Sequence, residues 1–228
     1  MSQKYYEKLP KSMQNKAVYE YCELLSKKKF TLFLKRFFDI TVSFLAIFVL
    51  IIPFAFISFW IVFDSKGPVF FIQKRAGKNN KEFGIIKFRT MVSNASEIGG
   101  TLTSGDNDTR ITKAGKFLRK FRIDELPQLI NVLVGQMSII GPRPEVKKFV
   151  DVYTDEQMAT LLIRPGISCS SSVAFANEGE ILEKSNSPDD TYIAEILPDK
   201  AKMNLEYIRD LSLKYDIKII LSTIKEVI

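Results

Sequence analysis

Asp124 and Glu125 stand side by side, just after a run of cations (Lys113, Lys116, Lys120, Arg119 and Arg122) and just before Pro127. Two readings fit this arrangement. Acidic residues at a helix start satisfy free N–H groups and complement the dipole, so the pair can serve as a cap. A helix N-terminus among cations also keeps a carboxylate ionised. That suits a metal ligand for a pyrophosphate, or a nucleophile toward phosphorus. The chain of 228 residues contains no histidine, which removes Ser-His-Asp chemistry, His-ligated zinc and His general bases together. Any catalysis must therefore run on carboxylates, Lys, Arg, Tyr or a bound metal.

Three cationic segments could meet an anionic substrate: Lys87-Phe88-Arg89, Arg143 within Gly-Pro-Arg-Pro, and Arg164 within Arg-Pro-Gly. Arginine binds phosphate through two parallel donors, and a proline on either side of Arg143 fixes its backbone direction. No GxxxxGK[ST] loop and no GxGxxG occurs, so nucleotide binding of those kinds is unsupported. Asp106-Asn107-Asp108 has the DxD form that holds a metal and a nucleotide-sugar in many glycosyltransferases, but no βαβ pattern precedes it. Asx-turn chemistry explains it better. Cys22 and Cys169 match no metal or redox spacing, which fits a reduced compartment.

These residues need elements to hold them. The dominant one is Phe37–Phe63, 27 residues with Asp39 as the only charge. A straight helix of that length reaches roughly 40 Å against a hydrocarbon core of about 30 Å. Pro53 divides the run into arms of roughly 24 Å and 15 Å, neither able to span alone. Basic residues flank both sides: Lys27, Lys28, Lys29, Lys35 and Arg36 before, then Lys66, Lys74, Arg75, Lys78 and Lys81 after. Positive loops stay cytoplasmic, so this symmetry favours a re-entrant helix-break-helix over a kinked span. A fully buried core helix is a third reading.

Ahead of the run, Met13, Ala17, Val18, Tyr21, Leu24 and Leu25 recur at helical spacing. Behind it, VFFIQKR and EFGIIKFRTM flank a Gly/Asn-containing turn and read as a β-hairpin. Residues 92–109 are small and polar, which predicts a mobile loop. Helical pattern resumes from Lys113, breaks at Gly135 and at the GPRPE segment, and returns as one long helix over the last 24 residues. There Leu213, Ile217, Ile220, Leu221, Ile224 and Val227 make one face and Lys214, Lys218 and Lys225 another. Such a helix either packs on a core or lies in an anionic membrane surface. The expected fold class is α+β, mostly α.

Charge is distributed unevenly: residues 1–36 carry +6, 37–63 carry −1, 64–122 carry +8 and 123–228 carry −6. That division argues against nucleic acid as partner. The 46% hydrophobic content excludes disorder.

The ordered series of an apolar helix with a central proline, QKRAGKNNKEFGIIKFRTM, TRITKAGKFLRKFRIDELPQLINVLVGQMSIIGPRPE, RPG, and a C-terminal helix carrying Asp216 resembles the bacterial sugar transferases, the monotopic polyprenyl-phosphate phosphoglycosyl transferases. The resemblance covers roughly residues 31–228. It implies transfer of a sugar 1-phosphate from a UDP-sugar to polyprenyl phosphate at the cytoplasmic face of the bacterial membrane, with release of UMP, as the first membrane step of surface glycan synthesis. By the same resemblance Asp124 is the nucleophile that forms a covalent phosphosugar, and Glu125 is a Mg²⁺ ligand beside Asp124, with Mn²⁺ as an alternative ion. Lys87, Arg89, Arg143, Arg164, Gln73 and Arg75 are implied substrate contacts, and Pro53 the helix break. The implied division is an N-terminal amphipathic extension (1–30), a membrane-inserted helix-break-helix (31–63) and a cytoplasmic catalytic domain (64–228) with amphipathic interfacial helices. Anionic lipid, downstream glycosyltransferases and a second copy of the chain are the further partners it allows.

The chain departs from the family pattern at Ile52, where a serine often precedes the proline. It departs again at Ala176, which falls near an arginine of the family; Asn177 or Glu178 is the expected substitute contact. Two competing functions remain: a metal-dependent glycosyltransferase using Asp106 and Asp108 and releasing UDP, and a non-catalytic membrane-surface anchor.

Overall fold

The computed structural model describes residues 2–95 and 108–227. It opens with two helices, α1 (Ser2–Tyr6) and α2 (Lys16–Lys27). Asn15 starts α2 by accepting the Val18 N–H at 2.9 Å, which satisfies one donor that the helix leaves free. Val18, Tyr21, Cys22 and Leu25 are its buried face, as the helical spacing predicts. They share one core with Ile140, Leu162 and Ile208 from much later in the chain.

The apolar run becomes a single helix, α3 (Lys29–Asp64), long and apolar enough by length and composition to cross a membrane. The gap expected at Pro53 is corrected: Pro53 lies inside α3 without ending it. Neighbouring hydrogen bonds hold the turns around the missing donor, and Ser58 Oγ bonds back to the Phe54 carbonyl at 2.6 Å.

Both ends of α3 are tied to the same body. Near its start, Arg36 donates to the carbonyls of Val132 (2.7 Å) and Leu133 (3.0 Å). Asp39, the lone charge of the run, accepts from Ser138 Oγ at 2.8 Å and Ile139 N–H at 3.0 Å. Near its end, Ile61 packs with Phe88 and Leu118, and Asp64 accepts the Ala114 N–H at 2.9 Å. Phe44, Phe48, Val49, Ile51 and Ile52, in between, are exposed. Apolar exposure on this scale marks a surface meant for a partner or a membrane.

The expected hairpin forms from β1 (Phe70–Ala76) and β2 (Glu82–Phe88), antiparallel and paired from Phe70 with Phe88 to Ala76 with Glu82. Asn79 and Asn80 in the turn adopt φ of 58° and 56°, the left-handed region that asparagine tolerates. After residues 96–107, outside the described range and covering most of the predicted mobile loop, come α4 (Lys113–Lys120), a 3₁₀ turn (Ile123–Glu125) and α5 (Gln128–Leu133).

Strands β3 (Ser138–Ile140) and β4 (Gly166–Ser168) pair in parallel, with the short helix α6 (Lys147–Val150) between them. Their pairing explains the glycines of the GPRP and RPG segments. A Cβ on Gly166 would lie 2.1 Å from the Gly141 nitrogen, and one on Gly141 would lie 2.5 Å from the Arg164 carbonyl oxygen. Only glycine lets these backbones approach so closely.

Helices α7 (Ser170–Ala174), α8 (Glu178–Glu183) and α9 (Pro188–Thr191) lead through a π-helical turn to α10 (Leu197–Arg209) and α11 (Leu213–Val227). The single long C-terminal helix is therefore corrected to two, interrupted at 210–212. In α11 Asp216 and Ile219 are buried, while Ile217, Leu221 and Ile224 of the expected apolar face stay exposed. The result is mostly helical α+β with a hairpin and a small parallel sheet.

Candidate active site

Strand alternation prepares the site. Phe83, Ile85 and Lys87 point to one face of β2. The first two are buried with Val132 and Met137. Lys87 ends the row and reaches Glu125, its Nζ 2.6 Å from Oε1. Phe88 turns to the opposite face and joins Ile61 and Leu118. The β2 edge is fixed on α5 by fully buried Asn131, which accepts the Ile86 N–H at 3.0 Å and donates to the Gly84 carbonyl at 2.8 Å.

Asp124 and Glu125 sit on the 3₁₀ turn, which Arg122 opens in the left-handed region at φ 53°. A non-glycine residue there costs about 1–2 kcal/mol, and the reversal turns the chain from α4 to present the two carboxylates in succession. Neither side chain caps α5, whose start at Pro127 has no side-chain cap. Glu125 Oε1 is instead bound by Lys87 and by Arg143 Nη2 at 3.1 Å. Although burial opposes it, these two cations hold the Glu125 carboxyl well below the usual carboxylate range. Glu125 in turn raises the Arg143 guanidinium.

Asp124 is in a different position. Among the described residues its carboxylate makes no ion pair, and its side chain is only partly buried. Burial pushes its pKa up, with Lys87 and Arg119 opposing and neighbouring Glu125 adding to the rise. The expectation of a carboxylate held down by surrounding cations is thus met at Glu125 and corrected at Asp124, because the cations are already bound to Glu125.

On β1, Gln73 and Arg75 share the face that carries Lys87 on β2, and Arg75 Nη2 donates to Gln73 Oε1 at 2.7 Å. Burial lowers the Arg75 pKa, while Glu145 and Glu125 raise it and Arg143 lowers it further, so Arg75 belongs to the same electrostatic cluster. Glu145 is fixed by the Tyr192 hydroxyl at 2.7 Å.

Among the described residues no three His, Cys, Asp or Glu side chains gather as a metal cage. The adjacent pair supplies two carboxylates, and both cations bind Glu125 through Oε1, leaving Oε2 without a partner among the described residues. One or two carboxylates suit Mg²⁺, which takes substrate phosphates and water for the rest of its shell.

Beside Glu125 and Arg143 a cavity of about 300 Å³ opens between α5, β3 and α11, with Leu126, Ile140, Val173, Ile220 and Ile224 among its walls.

The pattern described as bacterial sugar transferase matches residues 30–228. The chain belongs to the bacterial sugar transferase family. It is 41% identical over 168 residues to UDP-N-acetylgalactosamine-undecaprenyl-phosphate N-acetylgalactosaminephosphotransferase of Aeromonas hydrophila, covering 72% of this chain and 36% of that one. It is 36% identical over 197 residues to undecaprenyl-phosphate glucose phosphotransferase of Komagataeibacter xylinus, covering 84% and 35%. A galactosyl transferase of Streptococcus agalactiae is 36% identical over 220 residues, covering 92% and 44%. The chain therefore spans about a third of the length of the first two relatives.

Two of the cations expected as substrate contacts already donate to backbone carbonyls. Arg89 is buried and donates to the carbonyls of Ser65 (2.6 Å) and Ile61 (3.2 Å), closing the C-terminal end of α3. Arg164 donates to the Gly135 carbonyl at 2.7 Å, beyond the C-terminal end of α5, whereas the carboxylates lie before its start. Both guanidiniums bind backbone carbonyls just past a helix end, Ser65 after α3 and Gly135 after α5. Asp106 lies outside the described residues. Asp108 grips Arg110, with Nε at 2.9 Å and Nη2 at 2.6 Å, and accepts its backbone N–H, as an Asx turn does. Glu178 pairs with buried Lys200.

Several important side chains carried only faint sequence signals. Asn131 is the polar residue inside the apolar QLINVL segment, and Asp39 the only charge in the apolar run. Asp216 forms a buried pair with Lys35 at 2.7 Å and accepts the Tyr207 hydroxyl at 2.6 Å.

Proposed function

We propose that this sugar transferase moves a sugar 1-phosphate from a UDP-sugar to undecaprenyl phosphate, through a covalent intermediate on Asp124. The observation that carries the reading is the division of labour on one turn. Glu125 holds Lys87 and Arg143, and Asp124 keeps a partly buried carboxylate that has no ion partner among the described residues. The related phosphotransferases are named for undecaprenyl phosphate as acceptor.

An Asp124 oxygen attacks the phosphorus that bears the sugar. The bond from that phosphorus to the bridging oxygen breaks, and UMP leaves with the electron pair. An oxygen of undecaprenyl phosphate then attacks the same phosphorus, the Asp124–phosphorus bond breaks, and the carboxylate is restored. Both nucleophiles are anions, so neither step needs a general base, consistent with a chain without histidine. Lys87, Arg143 and Arg75 bind the diphosphate oxygens, with Gln73 orienting Arg75, and stabilise charge as it moves to the leaving group. Asp124 and Glu125 would hold Mg²⁺, or Mn²⁺ in its place, which neutralises diphosphate charge when bound.

In this reading α3, with Pro53 inside it, enters and leaves on the cytoplasmic face. What supports it is the tethering of both ends, through Arg36, Asp39 and Asp64, to one body, with an exposed apolar stretch between. Exposed Ile217, Leu221 and Ile224 on α11, beside Lys214, Lys218 and Lys225, suit an anionic lipid surface.

The test is a chromatogram. The protein is incubated with undecaprenyl phosphate, Mg²⁺ and a panel of UDP-sugars. UMP is the expected nucleotide product, and UDP as the product overturns the reading.

A further inference from the structure

The lining of the 300 Å³ cavity joins four charged side chains, Glu125, Arg143, Arg122 and Glu226, to a mostly aliphatic remainder. The hydroxyls on its wall are already engaged: Ser168 and Thr223 bond each other at 2.6 Å, and Ser172 lies 3.0 Å from the Cys169 sulfur. A nucleobase needs donors and acceptors for its imide and carbonyl groups, and leaving them unpaired on burial costs about 1–3 kcal/mol each. A hydrocarbon needs none.

The cavity also connects to the apolar surface. Phe121, on its wall, is 4.9 Å from Phe117 between ring centroids, and Phe117 is 5.4 Å from Trp60 of α3. All three rings are exposed, by 40%, 45% and 42%. They form an aromatic track from the long apolar helix to the mouth of the cavity. At that mouth Arg122 touches Glu226 of α11 at only 3.4 Å, in an exposed ion pair. Such pairs contribute about 0–1 kcal/mol, so Arg122 is readily transferred to a stronger anion such as a phosphate.

We propose that this cavity seats the first isoprenoid units of the lipid phosphate acceptor, which enters along Trp60, Phe117 and Phe121, while Arg122 exchanges Glu226 for the acceptor phosphate. The inference rests on the proposed sugar-phosphate transfer, and its test separates the two. Each UDP-sugar is first mixed with protein alone, and UMP released per enzyme is measured as the donor half-reaction. Its absence in the unaltered protein counts against the transfer reaction itself. Val173→Trp and Ile220→Trp fill the cavity. They are expected to raise the KM for undecaprenyl phosphate at least about tenfold, to change the KM for a short prenyl phosphate much less, and to retain the donor burst. Retention of both the burst and the unaltered KM overturns the proposal. A second measurement requires neither turnover nor a variant. A benzophenone-tagged polyprenyl phosphate is photolysed with the intact protein and the adducts mapped. Adducts at residues 167–173 and 220–226 support the cavity, and adducts confined to α3 overturn it.

Discussion

Lys87 Nζ lies 2.6 Å from Oε1 of Glu125, and the preceding carboxylate, Asp124, pairs with no cation among the described residues. Two adjacent acids therefore have opposite electrostatic fates. Glu125 is stabilised as an anion by Lys87 and Arg143, and Asp124 is strained as one by burial. A poorly solvated, unpaired carboxylate is the better nucleophile, and a paired one the better anchor for cations.

Replacing Asp124 tests this contrast on two axes. Asp124→Asn should reduce turnover by at least about a thousandfold. Its melting temperature should hold or rise. A raised carboxyl pKa contributes stability only below the unfolded value and loses it as pH rises through the folded value, so at neutral pH the charge is a cost that Asn relieves. Thermal unfolding alongside UMP release checks both.

Glu125→Gln should act in the opposite direction on stability. The depressed Glu125 pKa contributes stability above the unfolded carboxyl value, retained until pH falls through the folded one. Removing the charge leaves Lys87 and Arg143 without their anion, a loss of about 1–3 kcal/mol, measurable by denaturant unfolding at neutral pH. An unchanged midpoint would contradict the pairing.

The donor half-reaction should lose rate in acid, because Asp124 attacks only when ionised. With its pKa raised by burial, the acid limb should lie above the ordinary aspartate range. A pH profile of the single-turnover UMP burst gives its position.

How far the chain itself disclosed this arrangement differs from residue to residue. The hairpin, the α2 face and the Asp124–Glu125 pair were legible because period-two alternation, helical spacing and adjacent acids are local patterns. The backbone partners of Arg89 and Arg164 were not, since the carbonyls of Ser65 and Gly135 are brought to these guanidiniums only by the folded chain. Pro53 read as a break because its effect on one helix depends on the tertiary ties at both ends.

Lys35 and Asp216 join the start of α3 to α11 at 2.7 Å, each with a side chain 8% exposed. Breaking such a pair by removing one partner costs about 3–5 kcal/mol. Asp216→Leu should therefore lower stability sharply, and Lys35→Met combined with it should recover much of the loss. A double-mutant cycle by thermal unfolding in detergent measures the coupling.

Topology has its own test. With Cys22 and Cys169 replaced, a cysteine placed at exposed Lys27 or exposed Lys66 should resist a membrane-impermeant thiol reagent in intact cells and react after lysis. Reaction of the Lys66 position from outside would contradict the re-entrant reading.

The most direct measurement is mass spectrometry of the protein mixed with each of a panel of UDP-sugars and Mg²⁺ in the absence of lipid acceptor. The account predicts an adduct with the mass of the sugar phosphate on the peptide containing Asp124, discharged when undecaprenyl phosphate is added. UMP formation that requires the acceptor and leaves Asp124 unmodified would contradict it.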